Sequence, residues 1–516
     1  MAGAVQWATD PTQPFSTPFN MYAAEGRIWI APADGGERTA FHFKGANWAG
    51  FQASGCVHEL YKHQLQEYID FLVLHNFNSV RLPMSVEIIG QNAETSGLCG
   101  EFTGWHSLDI LDDLIARLQQ AGIFVMFDMH TLERDVNEGL WCYTDIWGNC
   151  TPQNEALIRD AWETLANRYC SAPNVIAADL FNEPYGATWG LGDSGKDWGL
   201  AAGRLGNHVL SHCSRWLIFV EGVGNNNGQC FHTSSDYCWW GENIISQAEH
   251  PVQLSDPSKL VLSPHVYGHG SNSYLLASNF PENMPTIWDA HFGHVPAATG
   301  VPLVVGEWGG TWNARTWHNR NIPSTSAWQQ KLQDYLKEHG FGFFYWTLND
   351  NSFKTGALFD PSEAPKLQML ADSPVDLIAD LQAAWAPKSP PHPPPPPSSP
   401  APSLPPPAFP PPDSPPPSPS PPSGPPPSVP PMPPPLPPPP PHWPPSMPPP
   451  SPPSRPPLPP PCIPSPQPPP SPPPSPTSPA PSPPPPSPPP SKPPQPPPSP
   501  PSVPPSMPPP SPPPPF

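Results

Sequence analysis

The sequence is poor in basic residues, with 22 lysines and arginines against 42 aspartates and glutamates. The resulting formal net charge of −20 at pH 7 argues against a nucleic-acid partner, which requires a basic face. The chain also has no run of about 20 consecutive apolar residues, so we expect no membrane span. Its first residues, MAGAVQWATDPTQ, lack the apolar stretch of a secretory signal peptide. An acidic chain of this kind remains compatible with a neutral polymer such as a polysaccharide.

Several catalytic and cofactor motifs are absent as well. The sequence contains no CxxC pair, which makes a structural zinc site a poor interpretation of its cysteines. It has no GxSxG nucleophile motif and no Ser-His-Asp order. The glycine-containing stretches GANWAG and GVGNNNG lack the spacing of a phosphate-binding turn. We therefore expect neither a metal nor an organic cofactor.

Nine cysteines are present, and an even eight of them precede the proline-rich end of the chain. This number in loop-like stretches predicts disulfides and an oxidising compartment, with buried free thiols as the alternative. The glycosylation sequon Asn149-Cys150-Thr151 points the same way, so we expect an extracellular or cell-wall protein. The eight are Cys56, Cys99, Cys142, Cys150, Cys170, Cys213, Cys230 and Cys238, and the ninth is Cys462.

Composition divides the chain into two parts. Residues 1–386 hold 19 of the 100 prolines, and residues 387–516 hold the other 81 in SPPPP and PPPSP repeats. Such a segment has no apolar surface to bury, so it predicts a solvated, disordered polyproline II tail. We expect a catalytic domain over residues 1–386, with its core at about 25–385. An alternative role for the tail is a PxxP ligand of SH3 or WW domains.

Eight short apolar runs recur in the first part, with helical patterns between them at 64–76, 108–122 and 155–169. Nearly continuous apolar runs are typical of strands buried on both faces of a parallel sheet. Eight such units predict a (β/α)8 TIM barrel, and an open doubly wound sheet is the alternative. The predicted strands are 41–48, 78–83, 123–130, 175–184, 216–224, 260–268, 302–310 and 342–350.

Polar and aromatic residues occur where these runs end, which is where a TIM barrel places its active site. Glu183 follows the fourth strand and Glu307 ends the seventh, on opposite sides of the predicted barrel mouth. Glycoside hydrolysis uses such a pair, one carboxyl group as acid and the other as nucleophile or base. The other strand-end residues are Arg81, Asp128, His130, Asn182, His265, Tyr267, Trp308, Trp346 and Asn349.

Seven segments, in this order, make the chain similar to glycoside hydrolase family 5, the family of retaining cellulases within clan A. They are KGANWAGFQ, NSVRLP, FDMH, LFNEP, PHVYG, VVGEWGG and YWTLNDNSFKTGAL. The last segment and LWCYT at 140–144 resemble endoglucanases that act on β-1,4-glucan. The proline-rich tail resembles hydroxyproline-rich cell-wall glycoproteins.

The family resemblance implies a role for each matching residue. Glu183 would be the general acid/base and Glu307 the nucleophile, with their carboxyl groups roughly 5 Å apart. Asn182 would bind the sugar 2-hydroxyl, and His130 and the stacking floor Trp346 would contact sugar. Arg81 and Tyr267 would lie against Glu307, and His265 would lie near Glu183.

The first part of the chain is also rich in tryptophan, whose flat faces pack on sugar rings. Besides Trp346, we expect Trp48 and Trp141 to contact substrate. The long insertion at 225–244 is bracketed by cysteines, and we expect it at the barrel mouth with a Cys230–Cys238 bridge.

The predicted function is therefore that of a retaining endo-β-1,4-glucanase with a β-linked polysaccharide as substrate. A β-mannanase or a β-1,3-glucanase is the alternative within the family. An alternative of another class is a structural wall glycoprotein whose barrel only binds polysaccharide. We expect a monomer with wall association through the tail.

Overall fold

The computed structural model describes residues 13–230, 232–234, 236–317, 320–349 and 355–386. The proline-rich tail at 387–516, and Cys462 within it, lie outside the described residues, so their predicted features stay predictions. In the described helices we find none that combines the length and the apolar character needed to cross a membrane.

The centre of the fold is a curled sheet of parallel strands that follows the predicted apolar runs. The strands are β4 (Lys44–Asn47), β5 (Ser79–Ser85), β6 (Phe124–Thr131), β7 (Val175–Asp179), β8 (Leu217–Val220), β9 (Leu260–Leu262), β10 (His265–Tyr267), β11 (Val304–Gly309) and β14 (Gly342–Tyr345). Their order in the sheet is β10-β11-β14-β4-β5-β6-β7-β8-β9, and every neighbouring pair is parallel.

The two edge segments of this sheet, β9 and β10, are parts of one strand interrupted at Ser263 and Pro264. The first part pairs with β8 and the second with β11, and Leu262 also forms a parallel bridge to Leu303 beside β11. The sheet therefore curls back onto itself with eight strand positions, as expected for a TIM-like barrel. Proline has no N–H to donate, which accounts for an interruption at Pro264.

Helices connect most of these strands on the outside of the sheet. The three predicted helices are present as the second, fourth and fifth of the series. The α-helices are α1 (Phe51–Ser54), α2 (Leu65–Leu74), α3 (Val86–Gln91), α4 (Ser107–Gln120), α5 (Ala156–Tyr169), α6 (Trp198–His212), α7 (Met284–Trp288), α8 (Val295–Thr299), α9 (Ser326–His339), α10 (Ala364–Leu370) and α11 (Ile378–Trp385). A π-helical turn spans Asp289–Gly293, and 3-10 turns span Gly97–Phe102, Ile245–Ala248, Pro257–Lys259, Ser273–Leu275 and Pro361–Glu363.

Two small antiparallel sheets complete the fold. The first comprises β1 (Phe19–Ala24), β2 (Arg27–Pro32) and β3 (Thr39–Ala40), and the second β12 (Arg315–Trp317) and β13 (Arg320–Ile322). The first sheet belongs to a buried cluster that includes Phe15, Ile30 and the barrel residues Phe124 and Phe344. Phe124 is the first residue of strand β6, and Phe344 lies within strand β14. This cluster therefore lies toward the end of the barrel opposite the predicted active site. Buried packing thus begins at Phe15, before the start of the predicted core at about residue 25.

The eight cysteines of the first part form four disulfides, in agreement with the prediction. The 225–244 insertion carries the expected Cys230–Cys238 pair. The other three pairs are Cys56–Cys99, Cys142–Cys150 and Cys170–Cys213.

Candidate active site

A cleft of about 540 Å³ lies at the carboxyl ends of the barrel strands. It brings together the predicted residues His130, Asn182, Glu183, Tyr267, Glu307 and Trp346. Because strands β10 and β11 are paired with His265 opposite Glu307, the neighbouring strand ends present their polar side chains at one level. Six further residues line the cleft: Asn137, Tyr237, Trp239, Trp240, His269 and Thr355.

Glu307 is held by two hydrogen-bond donors. Arg81 Nη1 donates to Oε1 at 2.8 Å, and the Tyr267 hydroxyl donates to Oε2 at 2.9 Å. Burial raises the pKa of Glu307, while the positive charge of Arg81 and the Tyr267 hydrogen bond oppose that rise. These contacts fix both carboxylate oxygens and favour the ionised form over a carboxyl group that is buried without donors.

Glu183 lies in a different environment. Its pKa is raised well above the usual range, first by burial and then by the negative charge of Glu307. His265 Nδ1 lies 3.2 Å from its Oε1. Because burial and Arg81 lower the pKa of His265 far below normal, that imidazole is neutral and leaves Glu183 without a cationic partner. Glu183 therefore holds a proton more readily than Glu307.

The backbone at Glu183 is also unusual, with a φ of 46° in the left-handed region. A non-glycine residue in this region costs on the order of 1–3 kcal/mol and needs support from its surroundings. The Glu183 N–H supplies part of that support by donating to Glu221 Oε2 at 2.7 Å. This turn, which Pro184 follows, directs the Glu183 side chain into the cleft.

Arg81 is completely buried and joins these carboxylates into one cluster. Besides Glu307, its guanidinium lies within 3.1 Å of a carboxylate oxygen of Asp128, Asp179 and Glu221. One cation cannot neutralise four carboxylates in a dry interior, so protons must be retained there. Burial accordingly raises the pKa of Asp179 to about 7, and burial with the charge of Asp179 raises that of Glu221 well above normal.

The spacing of the two catalytic candidates can be bounded. One carboxylate oxygen of Glu183, one of Glu307 and a ring nitrogen of His265 all lie within 4.8 Å of one another. Retaining glycosidases have carboxyl groups about 5–5.5 Å apart, whereas inverting enzymes leave about 6.5–9.5 Å for a water molecule. The geometry therefore favours direct attack by one carboxylate.

Contacts with the buried side chains of Arg81 and Asp128 fix the orientation of two polar residues at the cleft, Asn182 and His130. Arg81 Nη2 donates to Asn182 Oδ1 at 3.0 Å, so the Asn182 amide nitrogen is left to donate toward the cleft. His130 Nδ1 lies 2.6 Å from Asp128 Oδ2, which assigns the proton to Nδ1 and leaves Nε2 available. The His130 ring also stacks on Trp346, with centroids 5.7 Å apart and planes 11° apart.

One wall of the cleft is lined by aromatic side chains of the 225–244 insertion. Trp240 is 43% exposed and stacks on Tyr185 with ring centroids 4.0 Å apart. Trp239 lies beside Tyr237 and Tyr267 on the same wall. The insertion therefore lies at the barrel mouth, as predicted. The sequence prediction assigns no role to Trp239 and Trp240, although their position next to the predicted cysteine bridge at the mouth is a usable signal.

Two predicted substrate contacts need correction. Trp48 and Trp141 are both fully buried, so neither indole offers a face on which a sugar could stack. Trp48 packs against Tyr68, and the Trp141 ring nitrogen donates to Glu155 Oε1 at 2.9 Å in the core. Both tryptophans therefore pack the structure around the barrel.

Glu221 is the main residue that the sequence analysis missed. It supports the Glu183 backbone, contacts Arg81, and lies 3.3 Å from His265 Nε2. Glu221 comes directly after strand β8, so the same strand-end rule that located Glu183 would have identified it.

Two groups of residues here have ligand atoms close enough to hold a cation. They are Glu183, His265 and Glu307, and Asp179, Glu221 and His265. The Arg81 guanidinium already donates to three of these four carboxylates, which places a positive charge where a metal would be needed. The cluster thus fits a permanent side-chain cation better than a metal.

Comparison with known proteins agrees with this site. Residues 37–352 match the family model described as Cellulase (glycosyl hydrolase family 5). An endoglucanase of Paenibacillus polymyxa is 34% identical over 327 residues, which is 61% of this chain and 77% of that protein. The major extracellular endoglucanase of Xanthomonas campestris pv. campestris is 36% identical over 324 residues, or 61% of this chain and 63% of that protein.

A solved structure gives the same result at the level of the fold. The hyperthermophilic endocellulase of the archaeon Pyrococcus horikoshii superposes with a TM-score of 0.61 at 32% identity. The superposition covers 69% of this chain and 99% of that one. The chain therefore belongs to glycosyl hydrolase family 5, and it is a glycosidase.

Proposed function

We propose that this chain hydrolyses internal β-1,4-glucosidic bonds in cellulose or a related β-glucan and retains the anomeric configuration. The observation that carries the proposal is the pair Glu183 and Glu307, with carboxylate oxygens within 4.8 Å and different electrostatic surroundings. The relatives named endoglucanase support an endo-β-glucanase. A complex of the Pyrococcus horikoshii endocellulase contains cellotetraose, which supports a β-glucan substrate.

The first chemical step follows from the positions of the two carboxyl groups. A Glu307 oxygen attacks the anomeric carbon while protonated Glu183 gives its proton to the departing glycosidic oxygen. The carbon–oxygen bond to the leaving sugar breaks, and a covalent glycosyl ester on Glu307 forms. The Asn182 amide nitrogen donates to the sugar 2-hydroxyl, a contact that strengthens in the transition state.

The second step reverses the roles at Glu183. Having lost its proton, Glu183 removes one from a water molecule, whose oxygen attacks the anomeric carbon and displaces Glu307. Two inversions at one carbon return the original configuration. Glu183 ends the cycle protonated again, which its raised pKa favours.

The two walls of the cleft suggest how the sugar chain lies. Trp346 and His130 form one surface for a ring next to the cleaved bond. Tyr185 and Trp240 form another surface on the side of Glu183, where the leaving sugar would bind. Aromatic faces on both sides of the carboxyl pair suit cleavage within a polymer.

Secretion and wall association belong to the same proposal. The four disulfides suit an oxidising compartment, and one relative is named an extracellular enzyme. The 387–516 tail would act as a spacer or wall anchor of a monomeric enzyme.

Product analysis tests the proposed function. The full chain and its Glu307→Ala, Glu183→Gln and Glu249→Gln variants would be incubated with a soluble cellulose derivative, mannan, β-1,3-glucan and cello-oligosaccharides. Glu249 is exposed, so its variant controls for the loss of a carboxylate outside the cleft. We expect the parent and Glu249→Gln to lower the viscosity of the cellulose solution rapidly, and Glu307→Ala and Glu183→Gln not to do so. The first product in the proton NMR spectrum should be the β-anomer.

Other outcomes would change the assignment in defined ways. Cleavage of mannan or β-1,3-glucan instead would retain the chemistry but replace the substrate. An initial α-anomer would contradict the retaining mechanism. Sugar binding without cleavage by the parent would favour a structural wall protein.

A further inference from the structure

A second group of chemically reactive side chains lies under the 225–244 insertion. A sulfur of Cys230, a sulfur of Cys238 and a ring nitrogen of His291 all lie within 4.8 Å of one another. His232 lies next to His291, with 2.9 Å between their Nε2 atoms. Cys230, Cys238 and His291 are at most 2% exposed. Two sulfurs and one imidazole nitrogen therefore lie close together, and a second imidazole lies beside that histidine.

In the structure this group contains a disulfide between Cys230 and Cys238. His291 Nδ1 lies 2.9 Å from Glu242 Oε1, which assigns the proton to Nδ1 and leaves the Nε2 lone pair directed at His232. With the disulfide intact, the His232 N–H can use that lone pair in a hydrogen bond. With the disulfide opened, two thiolates and the same lone pair become ligand atoms.

This set of donors matches one class of ion. Tetrahedral Zn²⁺ sites use cysteine sulfur at about 2.3 Å and histidine nitrogen at about 2.0–2.1 Å, and Cys₂His₂ is a common set. Ligand atoms of such a site are about 3.3–3.8 Å apart by tetrahedral geometry, inside the 4.8 Å spread of the Cys230, Cys238 and His291 atoms. The two histidine nitrogens, 2.9 Å apart here, would move slightly apart to bind one cation. Histidine ligands usually donate their other N–H to a carboxylate, as His291 does to Glu242.

We propose that Cys230, His232, Cys238 and His291 form a site for Zn²⁺ or a similar thiophilic divalent cation when the Cys230–Cys238 disulfide is reduced. A dithiol reductant supplies two electrons and two protons, becomes a disulfide itself, and leaves two thiols on the protein. The cation then binds both sulfurs and displaces the two thiol protons. Reoxidation of the thiolates releases the cation and restores the disulfide.

The two forms are alternative cross-links of one loop. Glu242 connects the site to the cleft, because its Oε2 accepts the Trp239 N–H at 2.7 Å while its Oε1 contacts His291. The metal-bound form would therefore keep the aromatic wall of the cleft in place under reducing conditions. The spacing C-x7-C lacks the CxxC signal of zinc sites, so the sequence suggested only the disulfide.

Anaerobic titration with Co²⁺ tests the proposal. The full chain with Cys462→Ser, which removes the cysteine of the tail, would be titrated before and after dithiothreitol treatment and anaerobic desalting. Tetrahedral Co²⁺ with thiolate ligands gives a sulfur-to-metal charge-transfer band in the near ultraviolet and intense visible d–d bands. We expect one Co²⁺ per chain with these bands in the reduced protein only, and their loss when Zn²⁺ is added.

Variants identify the ligands. Cys230→Ser with Cys238→Ser should abolish the charge-transfer band, and His232→Asn or His291→Asn should each abolish the tetrahedral spectrum. Glu242→Gln should lower Co²⁺ affinity roughly 10- to 100-fold, as for other carboxylates that orient a ligand histidine. Circular dichroism of each oxidised variant shows whether it has folded.

The Cys142–Cys150 pair is the matched control, because it has the same sequence separation of 8 as Cys230–Cys238. In the described part of the chain it belongs to no comparable group of ligands. Cys142→Ser with Cys150→Ser should leave the Co²⁺ spectrum unchanged. The proposal is overturned if the reduced parent binds Co²⁺ no more tightly than the oxidised parent, or if loss of Cys230 and Cys238 leaves the spectrum intact.

Discussion

Glu183 and Glu307 carry the same side chain but differ in the hydrogen bonds they receive. Both Glu307 oxygens accept hydrogen bonds from Arg81 and Tyr267, whereas the Glu183 side chain has neutral His265 beside it. A hydrogen bond to the charged form lowers a carboxyl pKa, and burial without one raises it. The proposed roles of Glu183 as acid and Glu307 as nucleophile therefore depend on individual contacts around each carboxylate.

The Tyr267→Phe variant tests this effect of hydrogen bonds on the carboxyl pKa by removing a single hydroxyl group. Removing the hydroxyl takes away a donor to ionised Glu307, so the pKa of Glu307 should rise. Hydrogen bonds to charged groups are worth about 1.5–3 kcal/mol, and one pKa unit is about 1.4 kcal/mol. We expect the acidic limb of the kcat/KM profile against pH to move upward by about one unit, measured on a soluble cellulose derivative.

Tyr345→Phe is the control for the loss of a buried tyrosine hydroxyl. Tyr345 is also buried on a barrel strand, but its hydroxyl donates to Gln329 Oε1. Its removal should lower stability while leaving the acidic limb in place. An unchanged limb in Tyr267→Phe would mean that Arg81 alone maintains the ionisation of Glu307.

For single residues, the sequence predicts where a side chain lies in the fold better than it predicts how exposed that side chain is. The strand-end rule located Glu183, Glu307 and Arg81 because β-strands fix where a chain emerges from the sheet. It could not predict that Trp48 and Trp141 are buried, because indole packs equally well in a core and against a sugar. Exposure depends on contacts with distant segments, which local sequence does not encode.

The disulfides are the clearest stabilising feature at the scale of elements. Cys170 caps the carboxyl end of helix α5 and Cys213 caps that of α6, and their bond joins these two helices. It closes a segment with a sequence separation of 43, against 8 for Cys142–Cys150. The chain-entropy model assigns about 4 kcal/mol to the longer loop and about 2.5 kcal/mol to the shorter.

Replacing each pair by alanine therefore predicts an order. Cys170→Ala with Cys213→Ala should lower the free energy of unfolding by about 1.5 kcal/mol more than Cys142→Ala with Cys150→Ala. The measurement is urea unfolding of both variants and the parent, followed by tryptophan fluorescence. An equal loss, or a larger one for the shorter loop, would rule out loop length as the main determinant here.

The elements themselves were largely predictable, and the exceptions have physical reasons. Strands buried on both faces carry apolar runs that no exposed segment would contain, so all eight were visible. The sheet β1–β3 was missed because short antiparallel strands such as Arg27–Pro32 alternate buried and exposed residues and give a weak signal. The split of the sixth strand had a visible signal, because Pro264 lies inside the predicted run 260–268 and cannot donate a hydrogen bond to the sheet.

At the scale of the whole molecule, the barrel encloses more carboxyl groups than the buried positive charge of Arg81 can neutralise. Burial raises the pKa of Asp179, Glu183, Glu221 and Glu307 together around the single cation Arg81. The folded protein therefore binds more protons than the unfolded chain between the ordinary and the raised pKa values. A group of this kind stabilises the fold below its unfolded pKa, and that contribution is lost as pH rises through the folded pKa.

Asp179 provides the last prediction, because its pKa rises from 3.8 to about 7. The free energy of unfolding of the parent should fall by a few kcal/mol between about pH 5 and pH 8, measured by urea unfolding. Asp179→Asn, which stays neutral throughout, should reduce this pH dependence, whereas Asp380→Asn at an exposed site should not. A parent that is as stable at pH 8 as at pH 5 would contradict proton retention in the cluster. Arg81 would then balance the carboxylates with help from groups outside it, and Glu183 would need another source for its proton.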